Sequence, residues 1–194
     1  MKKFTLLFLA TILTFVISSC SKTDEVAPPT VVGLWKVGGL GVITDTKTVD
    51  ATTDDIKKAD AKAGENFAAQ TYEFKADGTS IIANTSGTGK NDAGKYVVST
   101  DGKLLTITSN SNKDSKGNPS VQTFDVLSLT NSEMKFGVGK LTKKGTDGQF
   151  VIDLFSIDFA VYIYGAYVFA AKGLDADKEL KAAKTVTATF NLKK

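Results

Sequence analysis

Apolar and polar residues alternate in short runs along most of this chain, and glycine, aspartate and asparagine punctuate the gaps. A period of two belongs to strands with one face buried and one face wet. Leu34–Val37 reads as a first strand and is followed by a loop. Thr71-Tyr72-Glu73-Phe74-Lys75 alternates, turns at Asp77-Gly78 and resumes at Thr79–Ala83. Lys95–Ser99 does the same through Asp101-Gly102 into Lys103–Thr108. Asp-Gly is a strong hairpin signal because a tight turn needs positive φ, which glycine takes without strain. Ser109–Pro119 reads as a polar loop, Val121–Leu129 as a strand that turns at Thr130-Asn131-Ser132, and Glu133–Val138 as its partner. Gly145 and Asp147-Gly148 mark a further turn, and Thr185–Leu192 is the last strand.

Three segments break this rhythm. Thr53–Ala63 opens with a cap and acids and continues with lysines and alanines, which predicts a short surface helix ended at Gly64. Leu174–Lys184, with Asp175 or Asp177 as caps, predicts a second. Its acids Asp175, Asp177 and Glu179 suit a helix N-terminus and lack the loop pattern of a calcium site. Gln149–Ala171 is almost continuously apolar and aromatic. Laid out as strands, it places Phe155, Ile157, Phe159, Val161 and Ile163 on one face and Tyr162 and Tyr164 on the other, with a bend at Gly165. The expected fold is all-β: an antiparallel up-and-down meander of about eight strands closing into a barrel, with one or two short surface helices.

Composition narrows the chemistry. All 24 basic residues are lysine, and there is no arginine or histidine. Histidine general bases, histidine metal sites and arginine clamps are therefore excluded. The single cysteine, Cys20, rules out intrachain disulfides and cysteine metal clusters. The net charge of +3 owes much to Lys2 and Lys3 and provides no basic field for nucleic acid. No spacing of nucleophile, base or phosphate loop stands out, so neither catalysis nor a cofactor is expected; Gly87–Asn91 and Gly137–Lys140 read as turns.

The N-terminus reads as an address. Met1-Lys2-Lys3 is a positive n-region, Phe4–Val16 an apolar core of signal-peptide length, and Ile17-Ser18-Ser19-Cys20 resembles the bacterial lipobox. Residues 1–19 are then a lipoprotein signal peptide, residues 20–30 the lipidated Cys20 with a flexible tether through Pro28-Pro29, and residues 31–194 one domain. The membrane partner is reached through acyl chains on Cys20. Ser21 in place of aspartate, then Lys22 with Asp24 and Glu25, fits an outer-membrane lipoprotein on the periplasmic face or, by preference, the cell surface.

Gly33-Leu34-Trp35 at the first strand has the Gly-X-Trp form of the lipocalin signature, and Tyr72–Thr79 resembles the aromatic–Asp-Gly-Thr hairpin of lipocalin-like lipoproteins common in Bacteroidetes. Gly94–Val98, Leu104–Ile107, Phe124–Thr130 and Met134–Phe136 continue that pattern. The resemblance implies a lipid-anchored calycin-type barrel with Gly33 and Trp35 as structural signature and a non-enzymatic binding role. The arginine that lipocalins commonly pack over this tryptophan has no counterpart in an arginine-free chain. A small apolar or sugar-like ligand would meet the barrel interior or mouth, with Tyr162, Tyr164 and Tyr167 as candidate contacts. The alternative is a filled barrel that serves as a structural or protein-interaction module in the envelope, with Gln149–Ala171 as two adjacent core strands.

Overall fold

The computed structural model describes residues 29–84, 90–113, 116–144, 150 and 157–194. The predicted leader, Cys20, most of the tether, and the turn around Gly145 and Asp147-Gly148 lie outside the described residues.

Among the described residues nine strands run in chain order β1 Gly33–Thr44, β2 Thr48–Thr52, β3 Thr71–Phe74, β4 Thr79–Ala83, β5 Asp92–Val98, β6 Leu104–Lys113, β7 Pro119–Leu129, β8 Glu133–Thr142 and β9 Thr185–Lys193. All neighbours are antiparallel. From β3 onward each strand pairs with the next, and β9 returns to β1, closing an eight-stranded barrel. The ninth strand, β2, lies beside the second half of β1, whose first half pairs with β3. The meander and its closure agree with the period-two reading.

Both Asp-Gly turns form where the sequence places them. Gly78 and Gly102 take φ of 82° and 71°, and each aspartate folds back on its own turn. Asp77 Oδ1 accepts from the Thr79 amide (2.9 Å) and hydroxyl (2.7 Å), and Asp101 Oδ1 from the Ser99 hydroxyl (2.6 Å) and the Lys103 amide (3.1 Å). These bonds hold both carboxyls below the usual carboxylate range.

Trp35 plugs one end of the barrel. Its ring is 0% exposed, its indole N–H donates to the Val31 carbonyl at 2.6 Å, and the Lys194 ammonium lies 4.4 Å from the ring centroid. Gly33 leaves room for that lysine: a Cβ there would stand 2.9 Å from Lys194 Cε.

The other end is closed by helices, and here one expectation is corrected. Ile157–Ala171 is an α-helix, not a strand pair. A run apolar on every side has no period to separate helix from strand, and its Phe, Val, Ile and Tyr favour β locally. Tertiary context decides: a helix apolar all round suits a covered place, and the barrel mouth provides one. Among the described residues the helices are α1 Thr53–Ala63, α2 Ile157–Ala171 and α3 Ala176–Ala182, with a 3-10 turn at Phe67–Ala69. Helix α2 packs on β1, β8, β9, α1 and α3, with Gly165 against Val42 and Val186. Among the described residues no helix is long and apolar enough to cross a membrane.

Helix α1 carries a capping box. The Asp55 amide donates to the Thr52 hydroxyl, and the Thr52 amide donates back to Asp55 Oδ2 at 2.9 Å. Lys172, just past α2, also reaches Asp55 Oδ2 at 3.1 Å. The Thr52 bonds, followed by Lys172, pull the Asp55 carboxyl down to about 2. Helix α3 is capped by Asp175, whose side chain accepts from the Lys178 amide at 3.1 Å, as the helix-terminus reading of these acids expects.

Candidate functional site

Inward-facing positions of the barrel are mostly filled by large side chains, but a cavity of about 230 Å³ remains between the wall and α2. Its apolar part is a ring cluster contributed by i, i+2 alternation on neighbouring strands. Phe136 on β8 stacks on Phe190 on β9 with centroids 5.3 Å apart and planes 7° from parallel. Phe124 on β7 meets Phe136 edge-on at 5.0 Å, and Tyr164 on α2 meets Phe190 at 5.0 Å. Tyr72 on β3 contacts both stacked rings at 6.2 and 6.3 Å. Such pairs fix ring orientation as well as burying area.

The polar part is drawn from β5, β6, β7 and the residue just before β3. Asp92, the first residue of β5, is 8% exposed and lines the cavity. Its Oδ1 accepts from the Ser109 hydroxyl at 2.7 Å and its Oδ2 from the Asn112 amide at 2.9 Å. Both donors come from β6, which runs to Lys113, where the sequence reading placed a loop from Ser109. Polar side chains on a strand that projects into water do not mark a loop; here they fold one edge back onto Asp92. Gln70 and Gln122 complete the polar lining, and the Tyr72 hydroxyl donates to Gln70 Oε1 at 3.0 Å. Burial, followed by the nearby Tyr164, raises the Tyr72 phenol far above its ordinary value. Burial, followed by the charge of Glu65, pushes Tyr164 up to about 12. Both phenols therefore stay protonated at neutral pH, and the Tyr72 proton is committed to Gln70.

The three predicted tyrosines do not converge. A helix turns each residue about 100° past the last, so positions that share a strand face separate. Tyr164 lines the cavity. Tyr162 is half-buried against Phe150, with centroids 6.4 Å apart. Tyr167 faces α1, where its hydroxyl donates to Asp60 and approaches the Ile56 carbonyl at 3.3 Å. Burial and the Asp60 hydrogen bond raise the Tyr167 phenol well above its ordinary value. Asp60 is itself buried and takes the Ala68 amide at 2.8 Å, so this pair clamps α2 to α1 outside the cavity. Tyr167→Phe is expected to cost about 1.5–3 kcal/mol in urea unfolding, the worth of a hydrogen bond to a charged acceptor. Any bound ligand should be retained.

Asp92, Asn112, Gln70 and the rings of Phe124, Phe136 and Phe190 were not among the candidates. Asp92 carried a legible signal: Asp92, Gly94, Tyr96 and Val98 share one strand face, and an acid on an inward face is out of place unless partnered or used. Cys20 lies outside the described residues. Among the described residues no group of three or more metal-ligating side chains occurs.

No family model matches the chain, and no curated protein matches it significantly. Among solved structures, an uncharacterized protein from Bacteroides eggerthii DSM 20697 is similar over 54% of this chain and 88% of its own, with 16% sequence identity and a TM-score of 0.34.

Proposed function

We propose that this protein is a lipid-anchored cell-envelope lipoprotein of the lipocalin-like kind, whose barrel binds a small molecule without transforming it. The observation that carries this reading is the cavity: a floor of packed rings faced by Asp92, Asn112, Gln70, Gln122 and Tyr164 in about 230 Å³. Binding sites typically combine an apolar surface with a few placed polar groups, and drug-sized ligands occupy about 300–1,000 Å³. A smaller space selects a smaller ligand. Two features support the lipocalin-like assignment. The Gly-X-Trp tryptophan plugs the barrel end, and Lys194 crosses its ring where the family commonly uses arginine. The lipobox at Cys20 supports the anchor.

Native mass spectrometry on the full chain, purified in mild detergent from the host membrane, tests both halves. The expected result is a polypeptide starting at an acylated Cys20, with a small molecule that leaves on denaturation. A bare polypeptide after incubation with host lipid and glycan extracts would favour the rival, a filled-barrel interaction module. One observation speaks for that rival: Phe159 and Ile163, one turn apart on α2, are 37% and 41% exposed.

A further inference from the structure

We propose that the ligand of this cavity is a small organic cation, an amine or a quaternary ammonium. The inference rests on the cavity-binding reading above and specifies the ligand's charge.

The charge census of the cavity is the opposite of that of the chain. Lysines number 24 in the chain and exceed the 21 acids, yet no lysine lines the cavity among the described residues, and the one charged side chain that does is Asp92. The hydrogen bonds that fix its two oxygens come from neutral groups, the Ser109 hydroxyl and the Asn112 amide. Neutral donors orient a carboxylate and soften its desolvation without cancelling its charge. A carboxylate 8% exposed at the wall of an otherwise neutral cavity is most favourable with a cation beside it. That cation can be the ligand.

The remaining surfaces agree. The Tyr72 hydroxyl spends its proton on Gln70 Oε1, leaving the phenol oxygen as an acceptor. Glu65 adds negative potential at Tyr164. Aromatic faces attract cations through their quadrupoles, most strongly where water is excluded. An inorganic divalent ion fits less well, because such ions take several oxygen ligands including more than one carboxylate as a rule, and no such group of metal-ligating side chains occurs among the described residues. An organic cation needs only one carboxylate, acceptors and rings.

The test is isothermal titration of the full chain in non-ionic detergent. The probes are choline, tetramethylammonium and ethanolamine, with 3,3-dimethylbutan-1-ol as the uncharged isostere of choline. The expected result is at least about tenfold preference for choline over the alcohol. Asp92→Asn, which keeps the shape and one of the two acceptor oxygens, should reduce that preference below about threefold. Gln122→Lys, at an exposed position on the cavity edge, should weaken choline by about tenfold more than it weakens the alcohol; it serves if Asp92→Asn fails to fold. Equal binding of choline and the alcohol, or a preference that survives both substitutions, would overturn the inference. So would failure of all three cations to bind the folded wild type. A neutral molecule retained in native mass spectrometry would then leave the cavity-binding reading standing, whereas a bare polypeptide would remove both.

Discussion

Trp35→Ala is expected to lose about 3–5 kcal/mol of folding stability, the range for deleting a large buried aromatic side chain. A typical domain has only about 5–15 kcal/mol in total, so the variant should unfold at much lower urea or not accumulate at all. Three losses coincide at this residue. The ring is 0% exposed, and its removal leaves a void at the barrel end that the closed sheet cannot collapse to fill. The Val31 carbonyl loses the indole N–H that donates to it at 2.6 Å. The Lys194 ammonium loses the ring 4.4 Å beneath it. Trp35→Phe separates these contributions: it keeps most of the apolar contact but drops the hydrogen bond, and should cost about 1–2 kcal/mol. Lys194→Ala should cost less, about 0.5–1 kcal/mol. Since Trp35 is the only tryptophan, unfolding must be followed by far-ultraviolet circular dichroism. A loss under about 1 kcal/mol for the alanine variant would show that the barrel end is held by other contacts.

The ease of reading each part of this fold from sequence tracks how local its cause is. The Asp77-Gly78 and Asp101-Gly102 hairpins were legible because residues two apart close them, through aspartate side chains bonded to their own turns. Helix α1 was legible through its cap and first-turn acids, and α3 through Asp175. Strand β2 was not: its five residues are mostly exposed and carry only Val49 and Ala51 as apolar positions. The second half of β1 was hidden by Gly38, Gly39 and Gly41, which dilute its alternation. Helix α2 could not be read locally, because the closed barrel it covers decides its shape. The same holds for the candidate site. Tyr164 was named from its composition, but the residues that line the cavity with it come from six other strands and from a polar stretch of β6 that resembles a loop. Convergence of that kind is a property of the barrel's register, which depends on pairings spread along the chain.

Gly94→Ala should damage fold and cavity together. Gly94 on β5 lies opposite Ser80 on β4 and Ser109 on β6. A Cβ there would collide with the Thr108 carbonyl oxygen and stand 3.1 Å from its carbon and 3.4 Å from Ser109 Cα. These are backbone atoms of a paired strand, so no side-chain rotation relieves the clash. Strand β6 must move away from β5, at a cost of about 3 kcal/mol or more, the upper end for overpacking. Gly102→Ala is the contrast: an added Cβ meets nothing within 4 Å, and only the φ of 71° opposes it, for about 1 kcal/mol. The difference reaches the cavity because the displaced segment carries Ser109, whose hydroxyl holds Asp92 Oδ1 at 2.7 Å. Moving β6 outward withdraws that donor and, three residues on, Asn112. In urea unfolding paired with choline titration, Gly94→Ala should lower both stability and affinity, while Gly102→Ala should lower stability slightly and leave affinity unchanged. Equal stability losses for the two alanines would mean that β5 and β6 separate freely, and that the register around Asp92 is set elsewhere.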